Sequence, residues 1–173
     1  MGRPAPPKHS PAKFSTYFAT HENRMDQFRS GGFVGEDTLE FSFGASNLLT
    51  IKGEISCLGD ILIRVEKNLQ VIDDGTPDSL VQTVDYAYNA SVRGVNTFVR
   101  YNNLHRLLGH KDAHHKNSFD WRTGEHLPKS PSWVGVEGWP TLSEFIEEAE
   151  RWYWKHREEL PNPETHAALN LRG

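Results

Sequence analysis

The chain has 173 residues, a length typical of one domain, with 36% hydrophobic residues, 11% aromatic residues and a formal net charge of -4. This composition argues against a chain that is disordered throughout, and its mild acidity argues against a nucleic-acid binder that uses its whole surface, although a local basic cleft remains compatible with it. Because there is no long apolar run, no signal-like start and only one cysteine, Cys57, the sequence predicts a cytoplasmic protein without disulfides.

The N-terminal region is predicted to be an arm followed by a helix. Residues 1–13 are rich in proline, a composition typical of a disordered arm. Residues 14–38 are predicted to be a helical extension, because apolar positions from Phe14 to Phe28 recur on one helical face. Gly31 and Gly32 supply the signal that ends the helix.

The middle of the chain alternates apolar and polar residues, as half-buried strands do. Four strands are predicted, at residues 48–54, 61–72, 81–92 and 97–101, with an irregularity at Asn68. The links between them are short and carry turn residues, which indicates an antiparallel meander.

Residues 102–139 are rich in Gly, Pro, His and Asn and are predicted to be irregular. Thr141 and Glu144 then form a capping-box pattern, and an amphipathic helix follows until Pro161 stops it. We expect this helix to pack on one face of the sheet through four apolar residues, Phe145, Ile146, Ala149 and Trp152.

These elements predict an α+β fold, in which a four-stranded antiparallel sheet carries an N-terminal helix and a C-terminal helix on one face. Residues 39–160 form a single domain in this interpretation, and residues 161–173 form a flexible tail. The opposite face of the sheet is left for a substrate or a partner protein.

The strongest chemical signal is a histidine-rich, basic segment. Five of the nine histidines lie between His105 and His126. The region from Arg93 to Lys129 has seven Lys or Arg residues and three acids, whereas the region from Glu137 to Leu160 has seven acids and three bases. Because histidine exchanges protons near neutral pH, the segment is a candidate acid–base site for a phosphate-containing substrate.

Three interpretations of the histidines remain open. They can act as general acid and base in phosphodiester cleavage, without a cofactor, beside a cation such as Arg100 or Lys116. They can instead bind zinc or manganese, with ligands drawn from His105, His110, Asp112, His114, His115 and Asp120. The third interpretation is a solvated loop in which the histidines only bind carbonyl groups.

Other residues also have two interpretations. Tyr86 and Tyr88 lie on one strand face and can stack on bases or pack in the core. Lys67 can reach a phosphate from a strand end or simply keep an exposed sheet face soluble. Cys57 is predicted to be a buried small residue.

Several segments, in the same order and with similar spacing across residues 48–155, resemble the TumE family of prokaryotic toxin–antitoxin proteins. The strongest match is Arg100-Tyr101-Asn102-Asn103-Leu104-His105, followed by the His114-His115-Lys116 segment and Phe119-Asp120. The other matching segments lie around Ile51–Cys57, Ile63–Lys67, Tyr86–Ala90 and Trp139–Leu142. The chain departs from the family pattern by its extension through Thr38 and by its tail beyond Leu160.

The resemblance implies a small cytoplasmic toxin, RelE-like in general layout, that is encoded beside an antitoxin with a helix-turn-helix DNA-binding domain. It implies catalytic roles for four residues, Arg100, His105, His114 and His115. Tyr101, Lys116 and Asp120 would orient these groups or contact the substrate. The additions at both ends suggest a partner or a larger antiviral defence assembly.

The first hypothesis is therefore a metal-independent endoribonuclease toxin, in which one histidine deprotonates the ribose 2′-hydroxyl and another protonates the leaving oxygen. Arg100 and Lys116 would stabilise the developing negative charge. The alternatives are a metal-dependent nuclease or phosphodiesterase, using His110, Asp112 and His114, and a non-catalytic binding subunit of a defence complex.

Overall fold

The computed structural model describes residues 8–73, 75–103 and 113–170, and within them it shows an α+β fold. One open, antiparallel sheet of nine strands dominates the structure, so the predicted count of four strands is too low. The strands are β1 Ala12–Lys13, β2 Val34–Asp37, β3 Glu40–Phe43, β4 Leu48–Cys57, β5 Ile61–Ile72, β6 Leu80–Val92, β7 Thr97–Asn102, β8 His115–Ser118 and β9 Ser132–Trp133. The helices are α1 Phe14–Gly31, α2 Gly135–Gly138 and α3 Leu142–His156.

The centre of the sheet is the predicted meander. Strands β4, β5, β6 and β7 are neighbours in that order, and every pair is antiparallel. The irregularity predicted at Asn68 is present, since the register between β5 and β6 shifts between Asn68 and Leu69. The alternating pattern thus predicted both the type and the order of these strands.

The five additional strands are two to four residues long. β2 and β3 both pair with β4, whereas β8 continues the sheet beyond β7 and pairs in turn with β9. β8 and β9 lie in the stretch that we predicted to be irregular. The sequence of β8, His-Lys-Asn-Ser, has no apolar alternation, so its extended form depends on pairing with β7.

The sheet has a helix-covered face and an open face. On the helix-covered face, side chains such as Ile63, Val65 and Tyr88 form one core with Met25 of α1 and Phe145 of α3. A second, smaller cluster on this face packs beneath the start of α1, and it contains Leu49, Ile51, Leu69 and Val81 with Phe14 and Tyr17. Burial of these side chains is the main stabilising contribution to such a two-layer arrangement.

Helix α3 begins as predicted, since Thr141 and Glu144 form both hydrogen bonds of a capping box. It ends at His156, and a 3₁₀ turn at Arg157–Glu159 replaces the predicted last helical residues. Phe145, Ile146 and Ala149 are buried as expected, but Tyr153 is buried more completely than Trp152. Among the described helices, none is both long and apolar enough to cross a membrane.

Both described ends of the chain make specific contacts. In the region predicted to be an arm, the ring of His9 stacks on Trp139 with centroids 3.3 Å apart, and Ala12 pairs with Val81. In the region predicted to be a tail, the Ala167 amide donates to the carbonyl of Cys57 at 3.1 Å. The C-terminal segment therefore covers one end of the otherwise open face.

Candidate functional site

The predicted site residues lie on both faces of the sheet. In the β7–β8 register, Arg100 pairs with Asn117, Tyr101 with Lys116, and Asn102 with His115. Paired residues share a face and successive residues alternate between faces. Arg100 and His115 therefore lie on the open face, whereas Lys116 lies on the helix-covered face.

The open face carries a group that we call the arginine–histidine cluster: Arg100, Phe119 and His126, which are connected by ring contacts, and His115, which shares the face and is only 8% exposed. Arg100 is exposed, and its guanidinium carbon lies 5.5 Å from the centroid of the Phe119 ring. The exposed His126 packs its ring against the same phenyl group, with centroids 4.6 Å apart. Phe119 thus contacts both a guanidinium and an imidazole.

Each histidine of the cluster is oriented through its Nδ1 atom. His115 Nδ1–H donates to the carbonyl oxygen of Ala113 at 3.0 Å, so the neutral ring keeps a lone pair on Nε2. His126 Nδ1 lies 2.8 Å from the hydroxyl of Ser130, which also accepts a hydrogen bond from the Ser118 amide. Both rings therefore have a defined orientation, with Nε2 left for other contacts.

A groove of about 750 Å³ lies beside the cluster on the open face. Asn89 connects the two, since it lines the groove and pairs with Arg100 in the sheet. The ionisable side chains that line the groove are Lys52, Arg64, Glu40, Glu54 and Glu66. With acids in the majority, the groove does not favour a polyanion, so Arg100 marks the more favourable position for a phosphate group.

His114 lies on the other face. Its Nδ1 atom is joined by a 3.1 Å hydrogen bond to the hydroxyl of Tyr86, and its ring stacks parallel to Trp139. Tyr86 and Tyr88 are both completely buried, so neither ring presents a face to a base in this structure. The adjacent histidines His114 and His115 thus belong to different environments.

Lys116 and Tyr101 both bind one carboxylate of helix α3. Lys116 Nζ lies 3.0 Å from Glu148 Oε2, and the Tyr101 hydroxyl donates to Glu148 Oε1 at 2.6 Å. Burial, together with this hydrogen bond, raises the pKa of Tyr101. These contacts connect the sheet to the helix, and they hold Lys116 away from Arg100.

The other predicted residues have varied positions. Asp120 Oδ1 accepts from the Arg122 amide at 2.8 Å and stabilises a turn. Cys57 is buried, as predicted, and burial raises the pKa of its thiol. His105, His110 and Asp112 lie outside the described residues. In the part of the chain that is described, no three His, Cys, Asp or Glu side chains converge as a metal site.

Lys67 had two interpretations, a phosphate contact at a strand end or a solubilising residue of an exposed sheet face. It lies instead on the helix-covered face and is only 5% exposed. It is paired in register with Tyr86, and its ammonium nitrogen lies 5.2 Å from the centroid of the Tyr17 ring. Burial lowers the pKa of Lys67 to about 8. Alternation along the strand did contain this signal, because Lys67 shares its face with Val65 and Leu69.

The sequence interpretation counted His126 in the histidine-rich segment but gave it no role. His126 is distant in sequence from Arg100, and only the contacts of both residues with Phe119 bring them together. The antiparallel bridge between Phe119 and His126 explains this placement.

Comparison with known proteins found no matching family model, no matching curated protein and no matching solved structure.

Proposed function

We propose that the protein is an endoribonuclease toxin that cleaves RNA at the arginine–histidine cluster on the open face of the sheet. The observation that carries this proposal is the contact of both Arg100 and His126 with Phe119, on the face that also carries His115. Two imidazoles and a guanidinium are a sufficient set for metal-independent phosphodiester cleavage.

In the proposed reaction, Nε2 of one histidine accepts the proton of the ribose 2′-hydroxyl. The 2′-oxygen then attacks the adjacent phosphorus, and the bond from phosphorus to the 5′-oxygen breaks. The second histidine, as an imidazolium, donates a proton to that leaving oxygen, which gives a 2′,3′-cyclic phosphate and a 5′-hydroxyl end. His115 suits the role of base because Ala113 holds its Nδ1 proton.

Arg100 supplies the positive charge in this scheme. Its guanidinium is always protonated, and its exposed position allows two parallel hydrogen bonds to phosphate oxygens as negative charge develops. Lys116, which we expected to share this task, lies on the opposite face and is bound to Glu148. The proposal therefore assigns charge stabilisation to Arg100 alone among the residues that the structure describes.

The resemblance to TumE toxins supports the biological part of the proposal, namely a toxin controlled by an antitoxin with a DNA-binding domain. Arg100 and His115 both lie within the matching motifs. The proposed partner would protect the host by covering the open face, where Arg100 and His126 are exposed.

The test compares single alanine variants on the two faces. We expect the wild-type chain to arrest bacterial growth and to degrade total RNA, and His115→Ala and Arg100→Ala to abolish both effects. His166→Ala and Arg93→Ala are matched controls, since both side chains are exposed and lie away from the cluster. Circular dichroism of each purified variant verifies that it is folded.

Two results would contradict the proposal. If His114→Ala abolishes cleavage while His115→Ala retains it, the reaction belongs to the helix-covered face. If the purified wild-type protein leaves RNA intact both with added divalent metal and with chelator, the protein is not a ribonuclease. Cleavage that a chelator abolishes would instead support the metal-dependent alternative.

A further inference from the structure

The helix-covered face contains a second pocket, of about 300 Å³, beneath the start of helix α1. It lies on the side of the sheet opposite the arginine–histidine cluster. We call it the lysine pocket, because Lys67 forms part of its wall, together with residues of the N-terminal segment, of α1 and of the start of α3.

Lys and Arg side chains, but no described Asp or Glu side chain, line the lysine pocket. The three cations are Lys8, Arg24 and Lys67. Carboxylates lie close to the lining: Glu144 binds Lys8 Nζ at 2.9 Å and the Thr141 amide at 3.0 Å, and Glu22 and Asp37 interact electrostatically with His21. Three cations without an acid in the lining create a positive potential inside a partly enclosed space.

Lys67 is the decisive residue. Its side chain is only 5% exposed, and its ammonium group contacts the face of the Tyr17 ring. It forms no hydrogen bond or ion pair with any described residue. A buried ammonium group without an anionic partner is costly, and such groups are normally paired. Its position in the pocket wall therefore indicates that the missing partner is a ligand.

The lining also provides neutral hydrogen-bond donors. Helix α3 points its N-terminus at the pocket, and its first residues, Leu142 and Ser143, contribute to the lining. The capping box uses the Glu144 amide, and no described residue accepts a hydrogen bond from the Leu142 or Ser143 amide. The hydroxyl groups of Thr16 and Thr20 add donors from α1. Amides at a helix N-terminus together with cations are a favourable environment for an anion.

We propose that the lysine pocket binds a phosphate group, with Lys67 as the central cation and the first turn of α3 as the second contact. The small volume suits a phosphate with little attached to it, either a small phosphomonoester or the phosphorylated end of an RNA chain. The proposal does not depend on ribonuclease activity, because the arginine–histidine cluster lies on the other face.

The experiment is a calorimetric titration of the full-length chain with inorganic phosphate at constant ionic strength. We expect wild type and Lys52→Met to bind phosphate, and Lys67→Met to bind it at least about tenfold more weakly. Lys52 is the matched control because it is an exposed lysine on the open face. Equal binding by all three proteins, or no binding by wild type, would overturn the proposal.

A second measurement uses only the wild-type chain, so that a loss of phosphate binding cannot be confused with a loss of folding in a variant. The pKa of Lys67 in the wild-type chain is followed by NMR of lysine side chains, with and without phosphate. Bound phosphate should raise that pKa, since the dianion favours the protonated amine. The charged or titratable neighbours to be considered are Tyr17, His21 and Arg24 of α1, Lys8 and His9 before it, and Glu144 of α3. An unchanged pKa at saturating phosphate would contradict the proposal.

The two sources of phosphate are distinguished with two short 2′-O-methyl RNAs, which the proposed reaction cannot cleave, one carrying a 5′-phosphate and the other a 5′-hydroxyl. If the ligand is an RNA end, the phosphorylated RNA should bind at least about tenfold more tightly than both inorganic phosphate and the hydroxyl RNA. If it is a small phosphomonoester, inorganic phosphate should bind as well as the phosphorylated RNA. Equal binding of the two RNAs, together with no binding of inorganic phosphate, would refute phosphate recognition in the lysine pocket.

Discussion

Arg100 and Lys116 lie on neighbouring strands of the sheet, but their side chains extend to opposite faces. Arg100 contacts Phe119 on the open face, whereas Lys116 forms an ion pair with Glu148 of helix α3. Since the sheet separates the two cations, they do not bind the same phosphate group. Within the basic segment, Arg100 is therefore available to a substrate, whereas Lys116 connects the sheet to the helix.

The buried amine of Lys67 should reduce stability at neutral pH. Its pKa is lowered from 10.5 to about 8, so the unfolded chain binds more protons between these values, and stability should rise with pH through this window. In phosphate-free buffer, Lys67→Met should be more stable than wild type by about 3 kcal/mol at pH 7, and by about half as much at pH 9.5. Urea unfolding at both pH values measures the difference, and a pH-independent difference would refute this explanation.

Replacement of Glu148 should weaken the connection between sheet and helix. Glu148→Ala removes the acceptor of the Tyr101 hydroxyl and the partner of Lys116, so we expect a loss of about 1–3 kcal/mol in the free energy of unfolding. Glu147→Ala is the control on the exposed side of the same helix, and it should change stability by less than about 0.5 kcal/mol. Equal effects of the two variants in urea unfolding would be inconsistent with this role.

Two glycines should respond in opposite ways to alanine. Gly53 has φ +155°, and an added Cβ would lie 2.5 Å from the carbonyl oxygen of Thr38, so Gly53→Ala should cost more than about 2 kcal/mol. Gly31, at the end of α1, has open space around the same position, and Gly31→Ala should be neutral or stabilise by about 0.5–1 kcal/mol. Thermal unfolding of both variants tests the prediction. A Gly53→Ala protein as stable as wild type would show that residue 53 does not lie this close to the Thr38 carbonyl.

The capping box of α3 should make a measurable contribution to stability. Thr141→Ala removes the side-chain acceptor of the Glu144 amide, and we expect it to cost about 1 kcal/mol. Thr141→Ser keeps the hydroxyl and should retain most of the stability, which separates the hydrogen bond from the loss of the methyl group. If both variants lose the same amount in urea unfolding, packing of the methyl group is the larger effect.

The sequence by itself determined the elements whose signals are local. Alternation of apolar residues predicted β4 to β7 and their antiparallel order, and the capping pattern of Thr141 and Glu144 predicted the start of α3. These signals are readable because the periodicity of side chains and the chemistry of turns and caps depend on residues close in sequence. The same reasoning predicted that α3 covers one face of the sheet.

Only the tertiary structure decided which side chains meet. The short polar strands β8 and β9 exist through pairing with their neighbours, and that pairing separates His114 from His115 and Arg100 from Lys116. The contact of Lys67 with Tyr17 likewise depends on the placement of α1, and the contact of His126 with Phe119 depends on a bridge between distant residues. Strand register and helix docking are set by contacts between residues far apart in sequence, and no local pattern contains those contacts.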